Sequence, residues 1–359
     1  MEKSNNNRMR ALYVFSGKRR KVFQGVSSVD YPDTQFYGMN HLKDFGVDAE
    51  YKEFEDSSIG NFFAPYLGFR VKHSLMYFYA RKYDVVFGIS IIYMLIWKKI
   101  IPTKTKFVIF NSVFVRMLNV YSSTSWQFKV LVWILKDADG IVFLSQADMK
   151  KVADSIPSIA DKLYFVHMGV DAQYLKPTYD ERMNFFLSVG RDNARDYKTL
   201  VDVARKMPDE EFHFVCLPRN IEDIEDMPAN IRIHINIPRE NLDNLYRQAK
   251  ALLLITHNDS YIDGSDSSGP TVLLEAMAVG LPIIASKKAY IGDYGSHNVD
   301  MCLVDFYDSD AIVRSIRIIS DPVKRRSIAE HARLKVDTIC NTQEMAHGLS
   351  DVFKKVCAK

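Results

Sequence analysis

Cysteine is scarce in this chain: four in 359 residues, Cys216, Cys302, Cys340 and Cys357, with no Cys-x-x-Cys pair among them. That spacing excludes a zinc ribbon, a disulfide framework does not suit a chain of this length, and a reducing cytoplasm is the simplest setting. Long apolar runs are missing too. The longest, Val85–Trp97, is interrupted by Gly88 and Ser90 and falls short of the roughly 20 residues that a spanning helix needs. The opening MEKSNNNRMR is polar and runs directly into ALYVFS, so no signal peptide is expected. No Gly-x-Ser-x-Gly elbow, Walker loop or Gly-x-Gly-x-x-Gly fingerprint occurs. There is no repeat at a solenoid period and no low-complexity tract.

What is present is the balance of a soluble globular protein, 47% hydrophobic and 25% charged, long enough for two domains. The net charge of +3 hides an asymmetry. Residues 1–180 hold 24 Lys/Arg against 17 Asp/Glu, whereas the remainder holds 23 against 27. A basic half and an acidic half fit two domains with different partners, the basic one suited to phosphates on a membrane or a nucleic acid.

Short runs rich in Val, Ile and Phe alternate with amphipathic segments. Strands are expected at Ala11–Ser16, Val85–Ile89, Phe107–Phe110, Gly140–Leu144 and Leu163–Val166. A second series follows at Phe185–Val189, Phe212–Cys216, Ile231–Ile235, Ala251–Ile255, Pro282–Ala285 and Met301–Val304. Helical periodicity marks Gln35–Phe45, Phe62–Lys82, Ser125–Lys136, Tyr197–Lys206, Asn241–Gln248 and Thr271–Val279, then Ser309–Ile319, Pro322–Val336 and Thr342–Lys355. Alternating strands and helices imply parallel sheets covered on both faces, and eleven strands exceed one such sheet. The linker falls in Met168–Arg182, with Gly169, Pro177 and several charges.

The segment from Ser268 to Pro282 holds the strongest chemical signal. Gly269 and Pro270 open a helix and Gly280 with Pro282 ends it. Its N-terminus offers free backbone N–H groups and a positive dipole end, which suit a diphosphate. Glu275, a turn and a half in, could accept hydrogen bonds from a ribose diol. Read alone, the same residues describe an ordinary capped helix with one solvated Glu.

The run GPTVLLEAMAVGLPIIAS resembles the donor-binding signature of family-four retaining glycosyltransferases, glycosyl transferases group 1, which have the GT-B fold. Two further segments match in order. Tyr164-Phe-Val-His-Met-Gly-Val-Asp171, leading to Pro177, resembles their linker. Phe185-Phe-Leu-Ser-Val-Gly-Arg191, with Arg195-Asp-Tyr-Lys198 and the residues Thr199–Ala204, resembles the first strand, loop and helix of their nucleotide domain. The resemblance spans Leu163–Val336 and is only architectural over residues 1–160.

It implies an α/β chain of two Rossmann-like parallel-sheet domains facing a cleft: 1–170 for the acceptor, 171–340 for the nucleotide sugar, and 341–359 as a helix packing back towards the first domain. It places Arg191 and Lys198 as catalytic cations on the donor diphosphate, where charge grows as the nucleotide departs. Glu275 becomes the ribose binder. Ser268, Pro270 and the amides of Gly269, Thr271 and Val272 line the donor, and Ile237, in the turn Asn236–Arg239, meets the base. Two positions depart from the pattern. Ser267 stands where a sugar-binding Glu is expected, so Ser267 or Asp266 would read the sugar hydroxyl. Asn111 stands where many members carry a His, which excludes a His-dependent step there. The implied reaction is metal-independent, retaining transfer of a hexose from a UDP- or GDP-linked donor to a glycan or lipid-linked hydroxyl, with no cofactor beyond the donor. A catalytically inactive nucleotide-sugar-binding protein and a sugar-nucleotide epimerase are the alternatives.

Weaker signals remain. Asp137-Ala-Asp139 and Asp308-Ser-Asp310 have Asp-x-Asp spacing but read as caps, since one exposed pair supplies too few metal ligands. His167 and His257 end strands and read as packed or solvated. Lys18, Arg19, Arg20 and Lys21 follow the first strand, and Phe62–Lys82 interleaves aromatic and basic residues. Together they suggest a cytoplasmic protein attached peripherally to an anionic membrane, or an anionic acceptor, rather than nucleic acid, for which no motif is present.

Overall fold

The computed structural model describes residues 8–15, 17, 19–27, 30–53, 74–111, 114–179, 185–261, 263 and 269–359. Two compact units divide the chain, residues 1–166 with 342–359, and residues 167–341.

In the first unit, β1 (Met9–Phe15), β2 (Val47–Glu53), β3 (Val85–Gly88), β4 (Lys106–Phe110), β5 (Gly140–Phe143) and β6 (Leu163–Phe165) form one parallel sheet. Its order is β2-β1-β3-β4-β5-β6, with Tyr13 of β1 opposite Phe87 of β3. The inner strands are buried on both faces, which is why they read as unbroken apolar runs. The edge strand β2, VDAEYKE, buries only Val47 and Glu53 and was not expected. The helix Thr342–Ala358 belongs to this unit. Its Phe353 ring meets those of Phe87 and Tyr13 at 5.6 and 6.4 Å. Gly38 lies against the same helix, where a Cβ would fall 2.7 Å from the Ala346 nitrogen, and its φ is +73°. That glycine corner breaks the helix expected over Gln35–Phe45 into two 3-10 turns, Asp33–Phe36 and Met39–Phe45. Of the expected helix Phe62–Lys82, residues up to 73 lie outside the described residues, and 74–80 are helical. Helices at Arg20–Ser27, Met94–Ile100, Phe114–Val120 and Gln146–Ser155 were not expected.

The second unit repeats the architecture with β7 (Phe185–Val189), β8 (Phe212–Cys216), β9 (Ile231–Ile235), β10 (Ala249–Leu254), β11 (Ile283–Ser286) and β12 (Cys302–Val304). All neighbours are parallel and the order is β12-β11-β10-β7-β8-β9. The chain builds outward from β7 through β8 to β9, then returns to set β10 on the other side of β7. The reversal makes the β7/β10 junction a topological switch point, where α/β sheets place ligands. Side chains delimit two of the helices: Asp196 accepts from Thr199 N (3.0 Å) and Asp321 from Lys324 N (2.7 Å), each at a helix N-terminus. Val170 N donates to Cys340 O (2.9 Å), so the chain enters and leaves this unit side by side. No helix among the described residues is long and apolar enough to cross a membrane.

Candidate functional site

Three segments of the second unit meet at the carboxyl ends of β7 and β10: the loop Gly190–Asp196, the extension Ile255–His257, and Gly269 at the head of the helix Pro270–Ala278. The first two are laced together. Asp196 N donates to Ile255 O (3.1 Å), His257 N donates to Ala194 O (2.8 Å), and Arg195 pairs antiparallel with Thr256. Tyr197, buried in the first turn of the next helix, donates its hydroxyl to Gly190 O (2.8 Å) and holds the loop down. Burial, the largest influence, raises that hydroxyl's pKa above the ordinary tyrosine range.

Arg195 is only 5% exposed. Its guanidinium is wedged between two glycines: a Cβ at Gly190 would fall 2.0 Å from Nε, and one at Gly269 would fall 3.0 Å from Nη2. Nε and Nη1 are buried and have no hydrogen-bond partner among the described residues. A buried donor left unmatched costs about 1–3 kcal/mol, more when charged, so this group calls for an acceptor. Beside it, Gly269 adopts φ +112° and starts the helix. Leu273 N is bonded to Gly269 O (2.9 Å), so the amides of Thr271 and Val272 precede the helical ladder. A cation and a helix N-terminus side by side make a positive pocket of the kind that holds phosphate oxygens.

The two expected cations are placed differently. Arg191 is exposed just past β7, and its carbonyl accepts from Arg219 Nη2 (3.1 Å). Lys198 is exposed in the first turn of Tyr197–Lys206, between buried Tyr197 and Thr199. The cation that the fold brings against Gly269 is Arg195, which sequence reasoning passed over.

Glu275 is also not the bare acceptor expected. It is 4% exposed, and its Oε1 accepts from Arg239 Nη1 (2.6 Å). Arg239 opens the helix Arg239–Gln248, and its Nη2 lies 2.8 Å from Asp243 Oδ1. Asp243 Oδ2 in turn accepts from the Tyr174 hydroxyl (2.6 Å), whose pKa burial and then Asp243 push up to about 12. Burial works against the Arg239 charge, but Glu275 and Asp243 together raise its pKa further above the usual value. Burial first, then the nearby Glu275 charge, holds the Tyr246 hydroxyl well above its usual pKa. Just before Arg239, Asn236 turns the chain with φ +53°, and Ile237 is half-buried.

Residues 176–335, which hold this constellation, match the family model of the glycosyl transferases group 1. They form a group 1 glycosyltransferase domain. Two parallel six-stranded sheets place the whole chain in the GT-B fold of such glycosyltransferases. The chain is similar to HepE of Anabaena in complex with UDP and glucose, at 15% identity over 96% of this chain and 99% of that one, TM-score 0.68. Sucrose-phosphate synthase from Thermosynechococcus elongatus aligns at 16% identity over 98% and 100%, TM-score 0.71. The lipopolysaccharide outer core galactosyltransferase WaaB, in its apo form, aligns at 15% over 97% and 99%, TM-score 0.59. No curated protein sequence matches the chain.

Other expected positions fall elsewhere in the chain. Ser267, Ser268 and Asp266 lie outside the described residues. Asn111, at the end of β4 in the first unit, is buried, and its Oδ1 accepts from Phe114 N (3.0 Å) as a helix cap. Lys18 lies outside the described residues, while Arg20 and Lys21 are exposed at the start of a helix. Glu53 accepts the backbone N–H groups of Arg19 and Arg20, the latter at 2.9 Å. The Arg19 guanidinium packs over the Phe15 ring (5.6 Å), so this run is not uniformly solvated. Asp139 is tied to Lys98 and to Phe107 N (2.7 Å), and Asp308 caps a helix through Ala311 N (2.7 Å). No group of three metal-ligating side chains occurs among the described residues. His257 stacks on Tyr261 at 4.1 Å, and burial lowers its pKa.

Proposed function

We propose that this protein transfers a hexose from a UDP- or GDP-linked sugar to a hydroxyl of a glycan or lipid-linked acceptor, with retention of anomeric configuration. One observation carries the reading: the Arg195 guanidinium, whose buried Nε and Nη1 have no partner among the described residues, lies beside the N-terminus of Pro270–Ala278 at the sheet's switch point. A nucleotide diphosphate supplies the acceptor oxygens that this pocket lacks. In a front-face mechanism the acceptor oxygen bonds to the anomeric carbon while the bond from that carbon to the phosphate oxygen breaks. The acceptor proton passes to the departing phosphate. Negative charge therefore grows on the diphosphate, and preorganised cations and amides stabilise it most in the transition state. Arg195 and the amides of Thr271 and Val272 are the fixed part of that cradle, and exposed Arg191 supplies a second cation. In this reading the protein provides the positive charge and no metal or other cofactor is required. Support comes from the HepE structure with UDP-glucose and from the galactosyltransferase name of another similar structure.

A second reading, nucleotide-sugar binding without transfer, rests on Ser267 and Asn111, which stand where the resemblance expects a Glu and a His. A panel of UDP- and GDP-hexoses separates the readings through hydrolysis or transfer, epimerisation, or binding alone. Arg195→Ala is expected to lower turnover about 10²–10³-fold, the scale of one lost transition-state charge partner, while Lys198→Ala keeps near-normal turnover. Full activity of Arg195→Ala refutes the assignment.

A further inference from the structure

All three tryptophans of the chain, Trp97, Trp126 and Trp133, lie on two neighbouring helices of the first unit, Met94–Ile100 and Trp126–Leu135. The second helix, WQFKVLVWIL, is apolar nearly all round. Phe128, Leu131 and Leu135 enter the core. On the opposite face Trp126, Val130 and Trp133, spaced i, i+4 and i+7, are 69%, 43% and 52% exposed. The first helix adds Ile96 and Ile100, also exposed, and the exposed Phe78 sits with its ring 5.2 Å from Trp97. A helix apolar on every side is normally buried, so a contiguous uncovered face of this kind marks a contact surface.

The charge around it is mainly basic. Neither helix contains an acidic residue, and together they carry Lys98, Lys99 and Lys129. Lys136 and Lys162 lie beside them: Lys162 Nζ donates to Lys136 O (2.5 Å), and the two charges, after burial, lower the Lys99 pKa. Asp137 and Asp139 are already paired with Lys99 and Lys98. The Lys99 ammonium lies 4.2 Å over the Trp133 ring.

We propose that this face docks on an anionic bilayer, with Trp126, Trp133 and Ile100 at the boundary of headgroups and acyl chains and the exposed Lys129 and Lys136 on lipid phosphates. Tryptophan favours that boundary, and long lysine side chains keep their ammonium groups at its polar side. A second copy is the poorer occupant, because a two-fold contact sets these lysines against their own images with no acid on either helix. The surface shares no residue with the basic run Lys18–Lys21.

The tryptophans make the protein its own reporter. Full-length protein is titrated with vesicles of phosphatidylcholine alone and of phosphatidylcholine mixed equally with phosphatidylglycerol. With the mixed vesicles the emission should shift to the blue and be quenched by brominated acyl chains, and both effects should weaken with salt. Lys129→Gln and Lys136→Gln should each weaken binding about fivefold. Trp126→Ser combined with Trp133→Ser should weaken vesicle co-sedimentation on the order of 100-fold. Both side chains are mostly solvent-exposed, so the thermal transition should hold. Unchanged emission with mixed vesicles overturns the proposal, as does equal binding to both vesicle types. So does concentration-dependent dimerisation abolished by the Trp variant, or binding that depends on Lys18–Lys21 and not on the tryptophans. None of these readouts involves the donor, so failure here leaves the transferase reading intact.

Discussion

Replacing Arg239 with Met keeps much of the side-chain volume but strips two carboxylates of their cation. The magnitude follows from burial. Arg239, Glu275 and Asp243 have side chains 14%, 5% and 4% exposed, so the near-zero worth of surface ion pairs does not apply. Removing one member of a buried pair costs about 3–5 kcal/mol because the remaining charge loses its partner without regaining water. A unit of this size shifts by about 2–4 °C per kcal/mol, so its transition should fall by roughly 6–20 °C in calorimetry. Glu275→Gln leaves a neutral group that still accepts from Arg239, and should cost only about 1.5–3 kcal/mol, the worth of a charge-assisted bond. An Arg239→Met transition within about 1 °C of the parent, at neutral pH, would refute the buried network. Donor affinity gives a second readout, since freed Glu275 could turn to a ribose diol.

Three more outcomes follow from the same geometry. Gly269→Ala places a Cβ 3.0 Å from Arg195 Nη2 at φ +112°, so strain of about 1–3 kcal/mol and weaker UDP binding by calorimetry are expected together. His213 stacks on Phe185 at 3.7 Å and contacts Glu211 and His234, and burial lowers the pKa of both histidines. Their contribution is present above the unfolded pKa of about 6.5 and is lost as pH falls through the folded values, so His213→Gln should flatten that limb of the Tm profile. Burial pushes the thiols of Cys216 and Cys340 up to about 11 and about 12, so maleimide near neutral pH should label Cys357, the least buried thiol, well before either.

The central strands were legible because a strand buried on both faces writes itself as an apolar run, as in Phe185–Val189 and Phe212–Cys216, whose bounds agree to the residue. β2 was not, because an edge strand alternates charge with apolar residues and offers no run to find. The short helix Met94–Ile100 starts within the apolar stretch Val85–Trp97, whose period could not separate helix from strand. Helical period already sets Lys198 apart from the residues packed beside it: Tyr197, Leu200, Val201 and Ala204 define the buried face of its helix, and Lys198 falls off it. Nothing local announced Arg195 or the Arg239–Glu275 pair, since each depends on contacts between segments 36 to 74 positions apart.

The helix Thr342–Ala358 completes the first unit only after residues 167–341 have been synthesised. Chain growth therefore imposes an order that the finished structure conceals. As the polypeptide emerges, the N-terminal sheet must wait with the seats for Phe353 and Ala346 unfilled, while the second unit can close on itself in one piece. Its two chain crossings, joined by the bond from Val170 to Cys340, then deliver the late helix to the waiting surface. Ribosome-stalled chains ending near residue 341 should accordingly protect the second unit from protease while the first remains open to cleavage.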